Sequence, residues 1–282
     1  MADTPNTRSI DTSIDIAAPP ESVWSALTTA EGLTNWFPLE ARVTPGVGGK
    51  IWSSWGEHMQ GECRIDVWEP NQRLKVMYPQ MNPSADRPGE DADPWAGDLA
   101  ATDYIISAGE HGTTLRLVHS GFSTDAVWDD LYDATTRGWS FELRGLRHYL
   151  ERHPKGTRTV SNAMTVFDFP LDEAWRRLMG PDGLNAGDAL EGAKEGDRRT
   201  ITPAGGEELK VRVQVHTPGR AAALVVENWN EALLRFHFDE WRHPEPRRNA
   251  YLWISTYDLP EKRLEPIRRD WMERFNRLFT GG

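Results

Sequence analysis

The sequence predicts an α+β fold built twice: two tandem units, each an antiparallel sheet with one covered face and a long C-terminal helix as the cover. Three observations predict it. First, the chain resembles itself at a shift of 151 residues, so that Pro19, Trp24, Leu27, Gly32 and Leu33 fall without a gap on Pro170, Trp175, Leu178, Gly183 and Leu184. Second, several short segments alternate apolar and polar residues, which is the period of a half-buried strand. Third, both halves close on apolar residues spaced by three and four, which is the period of a helix.

In chain order, Ile10, Ile14 and Ile16 share one parity of a strand that runs into Pro19-Pro20, a helix start, with Val23, Trp24 and Leu27 as that helix's apolar side. Gly46-Val47-Gly48-Gly49 makes a turn and Lys50 to Trp55 a strand. Cys63, Ile65 and Val67 alternate with Arg64, Asp66 and Trp68; after Pro70-Asn71, Leu74, Val76 and Tyr78 alternate with Arg73, Lys75 and Met77. The stretch Pro79–Gly97, rich in Pro, Asp and Gly, reads as an irregular loop. Leu115, Leu117 and His119 alternate with Thr114, Arg116 and Val118. Trp128, Leu131, Tyr132, Thr135, Trp139, Leu143, Leu146 and Leu150 form the covering stripe of a helix between Thr124 and Glu151. His153-Pro154-Lys155-Gly156 is the joint, giving units of 8–153 and 158–282. The second unit repeats the plan in shortened form: Val211, Val213 and Val215, then Ala221 to Val226, then Leu234, Phe236 and Phe238, then Tyr251 to Thr256. Its closing helix carries Leu264, Ile267, Trp271, Phe275 and Leu278. The ends match too, Arg137-Gly138-Trp139 with Leu146 against Arg269-Asp270-Trp271 with Leu278.

Composition narrows the function. Of 282 residues, 43 are acidic and 32 basic, a net charge of −11, which disfavours nucleic acid or an anionic membrane as partner. Cys63 stands alone, so neither an intrachain disulfide nor a cysteine zinc site is expected. Met1 to Ser13 lack the apolar core of a signal peptide, and no apolar run approaches bilayer length; the expected setting is a reducing cytoplasm. Thirteen Trp against six Tyr is an unusual excess of indole and suits aromatic-lined pockets or interfaces.

Ile16-Ala17-Ala18-Pro19-Pro20-Glu21-Ser22-Val23-Trp24, Gly32-Leu33, Trp36-Phe37-Pro38, Gly48-Gly49-Lys50-Ile51, Gly61-Glu62-Cys63 and Thr114 to Phe122, with the Gly138-Trp139 helix, resemble an Aha-type domain. Such domains are similar to part of the activator of the heat-shock-protein-90 ATPase and fall within the START-like, helix-grip (SRPBCC) superfamily. The second half resembles the same domain more faintly, with Asn185-Ala186-Gly187 where Trp-Phe-Pro would stand. The resemblance implies a curved sheet gripping its helix, with a cavity between them that takes hydrophobic molecules; in a minority of members it hosts chemistry.

Candidate residues follow. His119 shares the covered parity and is either a buried neutral imidazole satisfied by a neighbour or a group that contacts ligand or moves a proton. Glu57 and His58 lie in a turn between strands, either merely exposed or rimming a cavity mouth. Tyr78 and Tyr104 offer hydroxyls from rings that remain in the wall. Trp55, Trp95 and Trp128 lack counterparts in the second half and are the cavity candidates among the indoles, whereas Trp24 and Trp139 recur as Trp175 and Trp271 and read as scaffold. Cys63, Leu117 and Thr135 complete the expected lining. His237, Asp239, Glu240 and His243 are the densest set of metal-ligand types, but His237 and Asp239 lie opposite Phe236 and Phe238 and are expected to face solvent; no metal and no cofactor are expected. Gly46-Val47-Gly48-Gly49-Lys50 has the wrong spacing for a phosphate loop, and no Gly-x-Ser-x-Gly elbow occurs.

The first expectation is a non-catalytic binder of a hydrophobic or aromatic small molecule. The second is a cyclase, aromatase or lyase, with His119, Glu57 or His58 and Tyr104 moving protons. The third is a co-chaperone-like regulator of a heat-shock ATPase. Pairing is also expected, between two chains or between the two halves, through exposed apolar residues such as Trp229 and Trp241.

Overall fold

The computed structural model describes residues 7–56, 59–80, 95, 97, 99–242 and 245–280. The chain divides into two compact units, Met1–Lys155 and Gly156–Gly282. The first opens with β1 (Thr7–Ile16), α1 (Pro20–Thr28), α2 (Ala30–Thr34) and β2 (Glu40–Thr44). It continues through β3 (Lys50–Ser54), β4 (Gln60–Glu69), β5 (Arg73–Pro79), β6 (Leu99–Gly109) and β7 (Gly112–Ser123). A single 3-10 turn, Ala126–Trp128, leads into α3 (Asp129–Arg152). The strands form one antiparallel sheet in the order β1-β7-β6-β5-β4-β3-β2.

The second unit holds β8 (Arg158–Phe167), α4 (Leu171–Met179), α5 (Gly187–Leu190), β9 (Arg198–Ile201) and β10 (Leu209–Thr217). Then come β11 (Ala221–Val226), β12 (Ala232–Trp241), β13 (Arg247–Tyr257) and α6 (Glu261–Phe279). Its sheet runs β8-β13-β12-β11-β10-β9, the same plan without a partner for β2. The fold is therefore α+β, two helix-grip units in tandem. Among the described residues no helix is long and apolar enough to cross a membrane.

The repeat extends to details. Pro19 and Pro170 occupy the N-cap of α1 and α4, where a missing N–H costs nothing. After each helix a glycine passes so close to the preceding turn that a Cβ would lie 2.3 Å from Ser25 O at Gly32 and 2.1 Å from Leu178 O at Gly183, so no other residue fits. The pairing of β4 with β5 shifts between Ile65 and Val67, and that of β10 with β11 between Val213 and Val215. Gly48 donates to Ile65 O at 2.9 Å and Gly196 to Val213 O at 2.8 Å. Trp24 packs on Trp68 at 4.9 Å and Trp175 on His216 at 5.7 Å.

The covered faces are apolar. In the first unit Ile51, Ile65, Leu74, Val76, Ile106, Leu115 and Leu117 are buried with Leu143, Leu146 and Leu150 of α3. In the second, Val211, Val213, Leu224, Leu234, Phe236, Leu252 and Ile254 pack with Ile267, Trp271, Phe275 and Leu278 into one core. Burial of this kind supplies the bulk of the folding free energy. Trp229 belongs to that core, against Trp271 at 6.3 Å, and is not the exposed apolar residue expected from the sequence; its Nε1 donates to Glu207. Asp239 is also buried (8% exposed) rather than solvent-facing, because alternation tells which face a residue takes and not how open that face is.

Candidate functional site

The first unit carries a polar chain where an apolar interior is the rule. His119 of β7, Thr102 and Tyr104 of β6 and Tyr78 of β5 all lie on the covered face, through the pairings Thr102 with His119, Tyr104 with Leu117 and Tyr78 with Ala100. From α3, the indole Nε1–H of Trp139 donates to His119 Nδ1 at 2.9 Å. His119 Nε2 meets the Tyr78 hydroxyl, which also bonds Thr102 Oγ1 at 3.1 Å. Indole nitrogen only donates, so Nδ1 must carry the lone pair and the neutral ring holds its proton on Nε2, directed at Tyr78. Thus each ring nitrogen is already engaged.

Burial sets the charge state. It pulls the His119 imidazole down to about 4. Burial also pushes both tyrosine hydroxyls up; Cys63 adds to the rise at Tyr78, and Tyr78 and Cys63 add to that at Tyr104. The Cys63 thiol rises to about 11 and donates to Ile51 O at 3.4 Å. At neutral pH His119, Tyr78, Tyr104 and Cys63 are therefore all uncharged.

Aromatic rings surround this chain. Phe37 stacks on Trp36 at 5.0 Å, meets Trp55 edge-on at 4.9 Å and tilts against Trp139 at 5.5 Å. Tyr104 meets Trp139 at 6.1 Å, and Phe122 lies 4.7 Å from His119. Phe122 reaches that face through a bulge: Ile10 pairs with His119 and Arg8 with Phe122, so Ser120 and Gly121 of β7 oppose Ser9 alone. Gly121 adopts φ 103°, and a Cβ there would lie 2.8 Å from Ala100 Cα, so the bulge demands glycine. Trp139, Tyr104 and Phe122 are buried, while Phe37, Trp55, Cys63 and Tyr78 are half-buried and form a rim.

Several sequence candidates stand elsewhere. Glu57 and His58 lie outside the described residues, as does His243. Trp95 stacks 3.8 Å over the guanidinium of Arg64, which points away from the Cys63–Ile65 face, so Trp95 sits on the outer side of the sheet and not in the lining. Trp128 is buried in the turn before α3, and the Thr135 hydroxyl donates to Leu131 O at 2.7 Å. Leu117 is fully buried, a wall residue beside Tyr104. A cavity of about 280 Å³ in this unit lies between β1 and α3, bordered by Ile10, Ile14, Tyr132, Ser140 and Arg144 among others, and shares no residue with the expected lining. Ring contacts occupy the ground beneath the helix where space was expected. In the second unit His237 stacks on Tyr251 at 4.3 Å and Glu240 accepts from Arg248 at 2.6 Å.

Trp139, Phe37, Thr102 and Phe122 take part without being among the sequence candidates. Recurrence as Trp271 marks Trp139 as scaffold, and Phe37 carries no signal beyond its place in Trp-Phe-Pro.

The second unit serves as a comparison. A shift of 151 maps Ile10 onto Ser161, and Ser161 pairs with Ile254 as Ile10 pairs with His119. Carried across the sheet, the registers put Ile254, Leu234, Phe236 and Val226 in the places of His119, Thr102, Tyr104 and Tyr78. No bulge interrupts β13 against β8, whose pairing runs unbroken from Phe167 to Arg158. The fold thus forms without the polar chain, and only the first unit has it.

Residues 17–151 match the model of the family described as Activator of Hsp90 ATPase homolog 1-like protein. Among curated proteins none matches the chain. Similar solved structures include protein MLL2253 from Mesorhizobium loti, 25% identical, covering 52% of this chain and 98% of its own with a TM-score of 0.42. The Aha1 dimer from Colwellia psychrerythraea is 23% identical and covers 53% of this chain and 99% of its own, with a TM-score of 0.41. DynU16, a protein in the dynemicin biosynthetic locus, is 15% identical and covers 96% of each chain, with a TM-score of 0.40.

Proposed function

We propose, from the premise that residues 17–151 form an Aha-type, START-like domain, that the first unit binds an uncharged aromatic small molecule and catalyses no reaction on it. The observation that carries this reading is the chain Trp139–His119–Tyr78–Thr102, buried in a unit whose sister copy replaces every sheet member of it with an apolar residue. Buried polar groups cost stability unless paired, and a fold that can do without them retains them for specificity. The half-buried rim of Phe37, Trp55, Cys63 and Tyr78 offers aromatic faces to a planar ligand, and the Tyr78 hydroxyl offers it one hydrogen bond. Uncharged walls favour an uncharged guest, since a buried ion here would lack a partner.

The same geometry weighs against the cyclase, aromatase or lyase reading. A general base needs a free lone pair within reach of the substrate. His119 spends its lone pair on Trp139 and directs its proton at Tyr78. The co-chaperone reading draws only on the family's description.

Isothermal titration with 2-naphthol, 9-phenanthrol and their carboxylate analogues tests the proposal. Binding of the phenols, weakened by Tyr78→Phe and absent for the carboxylates, is expected. Failure of both phenols to bind would overturn it, as would turnover of either.

A further inference from the structure

We infer that Gly138 keeps the rim of the first unit open, and that a ligand of the class proposed above lies across α3 at this residue; the inference rests on that reading. Glycine inside a helix is unfavourable relative to alanine, and Gly138 lies well within α3, far from either cap. Gly32 and Gly121 have steric reasons to be glycine. Gly138, inside a helix, has none. Its φ is not among the positive ones, and beyond its chain neighbours and its own helical turn no atom of the described residues would lie within 4 Å of a Cβ built on it.

The second unit shows that the fold accepts a side chain here. Asp270 occupies the corresponding place before Trp271, and its carboxylate accepts from Arg274 Nη2 one turn on, at 3.3 Å. Helix formation therefore does not demand the glycine, and helix stability argues against it. What remains is the space itself. Gly138 precedes Trp139, against which Phe37 packs, and half-buried Thr135 lies one turn earlier on the same flank. The Thr135 hydroxyl is spent on Leu131 O, so the flank presents methyl groups and bare backbone, a surface suited to the edge of an aromatic ring. A bulky residue at 138 would stand in that strip.

Calorimetric titration of the full-length chain with 2-naphthol, paired with thermal unfolding, tests this on G138A and G138L. Alanine is expected to raise the unfolding midpoint of the first unit by about 3 °C through helix propensity alone. Leucine is expected to leave that midpoint no lower than the wild type's while weakening 2-naphthol binding at least about tenfold. Wild-type affinity in G138L would overturn the inference and leave the binding reading intact. A lowered midpoint in both variants would also overturn it, by showing that packing requires the glycine. If wild type binds neither 2-naphthol nor 9-phenanthrol, the reading itself fails and this inference with it.

Discussion

The indole nitrogen of Trp139 and the Nδ1 of His119 are joined at 2.9 Å, and that contact alone decides which imidazole nitrogen carries the proton. The rest of the chain is ordered from it: imidazole to Tyr78, Tyr78 to Thr102.

Trp139→Phe keeps the aromatic packing and removes the donor. His119 Nδ1 is then buried without a partner, which costs about 1–3 kcal/mol. Chemical denaturation should show that loss in the first unit. His119→Phe on the Trp139→Phe background, which removes both halves of the bond, should recover part of it. No recovery would mean the bond contributes nothing beyond packing.

Acid should weaken the first unit. In the folded chain His119 stays neutral down to about pH 4, held there by burial, whereas in the unfolded chain it takes a proton near 6.5. The unfolded state binds more protons between those values, so the contribution is complete above pH 6.5 and is lost as pH falls toward 4. The loss amounts to roughly 3 kcal/mol at most. Denaturant midpoints measured from pH 7.5 to 4 should fall in the wild type and fall less in His119→Gln; parallel profiles would remove His119 as the cause.

The second unit supplies the recipe for a first unit without the polar chain. Tyr78→Val, Thr102→Leu and His119→Ile, with Trp139→Phe to avoid an orphaned donor, copy Val226, Leu234 and Ile254 into its place. Replacing all partners of a polar network by apolar groups is close to neutral for stability. The variant should fold with a midpoint within a few degrees of wild type, on the scale of about 1 kcal/mol, and should bind no 2-naphthol. Retained binding would move the site elsewhere.

Much of the architecture was readable from residues alone, because Pro19 and Pro170, Gly32 and Gly183, and Trp24 and Trp175 answer steric needs that both units share. His119, Tyr78 and Cys63 were readable as inward or rim residues from parity, Trp55 from having no counterpart in the second half, and Tyr104 only as a hydroxyl on a wall ring. The strand Leu99–Gly109 was not. Its covered residues are Ala100, Thr102, Tyr104 and Ile106, so the site's own polarity erased the alternation that marks a strand. Phe122 escaped because the Gly121 bulge reverses parity, and Trp95 because a loop residue has no parity to read. Trp139 shows the reverse error: recurrence of Trp271 marks a scaffold position, yet only the first unit gives that indole a histidine partner.

In the second unit Arg274 is almost wholly buried, and its guanidinium donates to Asp182 O at 3.1 Å, Gly183 O at 3.2 Å and Ala204 O at 2.8 Å. It ties α6 to the turn after α4. Arg274→Met should destabilise this unit by about 3 kcal/mol, since three carbonyls lose a charged donor. Arg274→Lys should rescue little, because a single ammonium cannot span positions a planar fork reaches. Full rescue by lysine, read from denaturant unfolding, would show that charge and not shape is what matters.

The bulge at Ser120–Gly121 also sets the two sheets apart. It adds one residue to a strand that runs unbroken in the sister copy, and that one residue brings Phe122 to the face His119 occupies. A difference of one residue in strand length thus accompanies the difference between an interior that is apolar throughout and one that carries a polar chain.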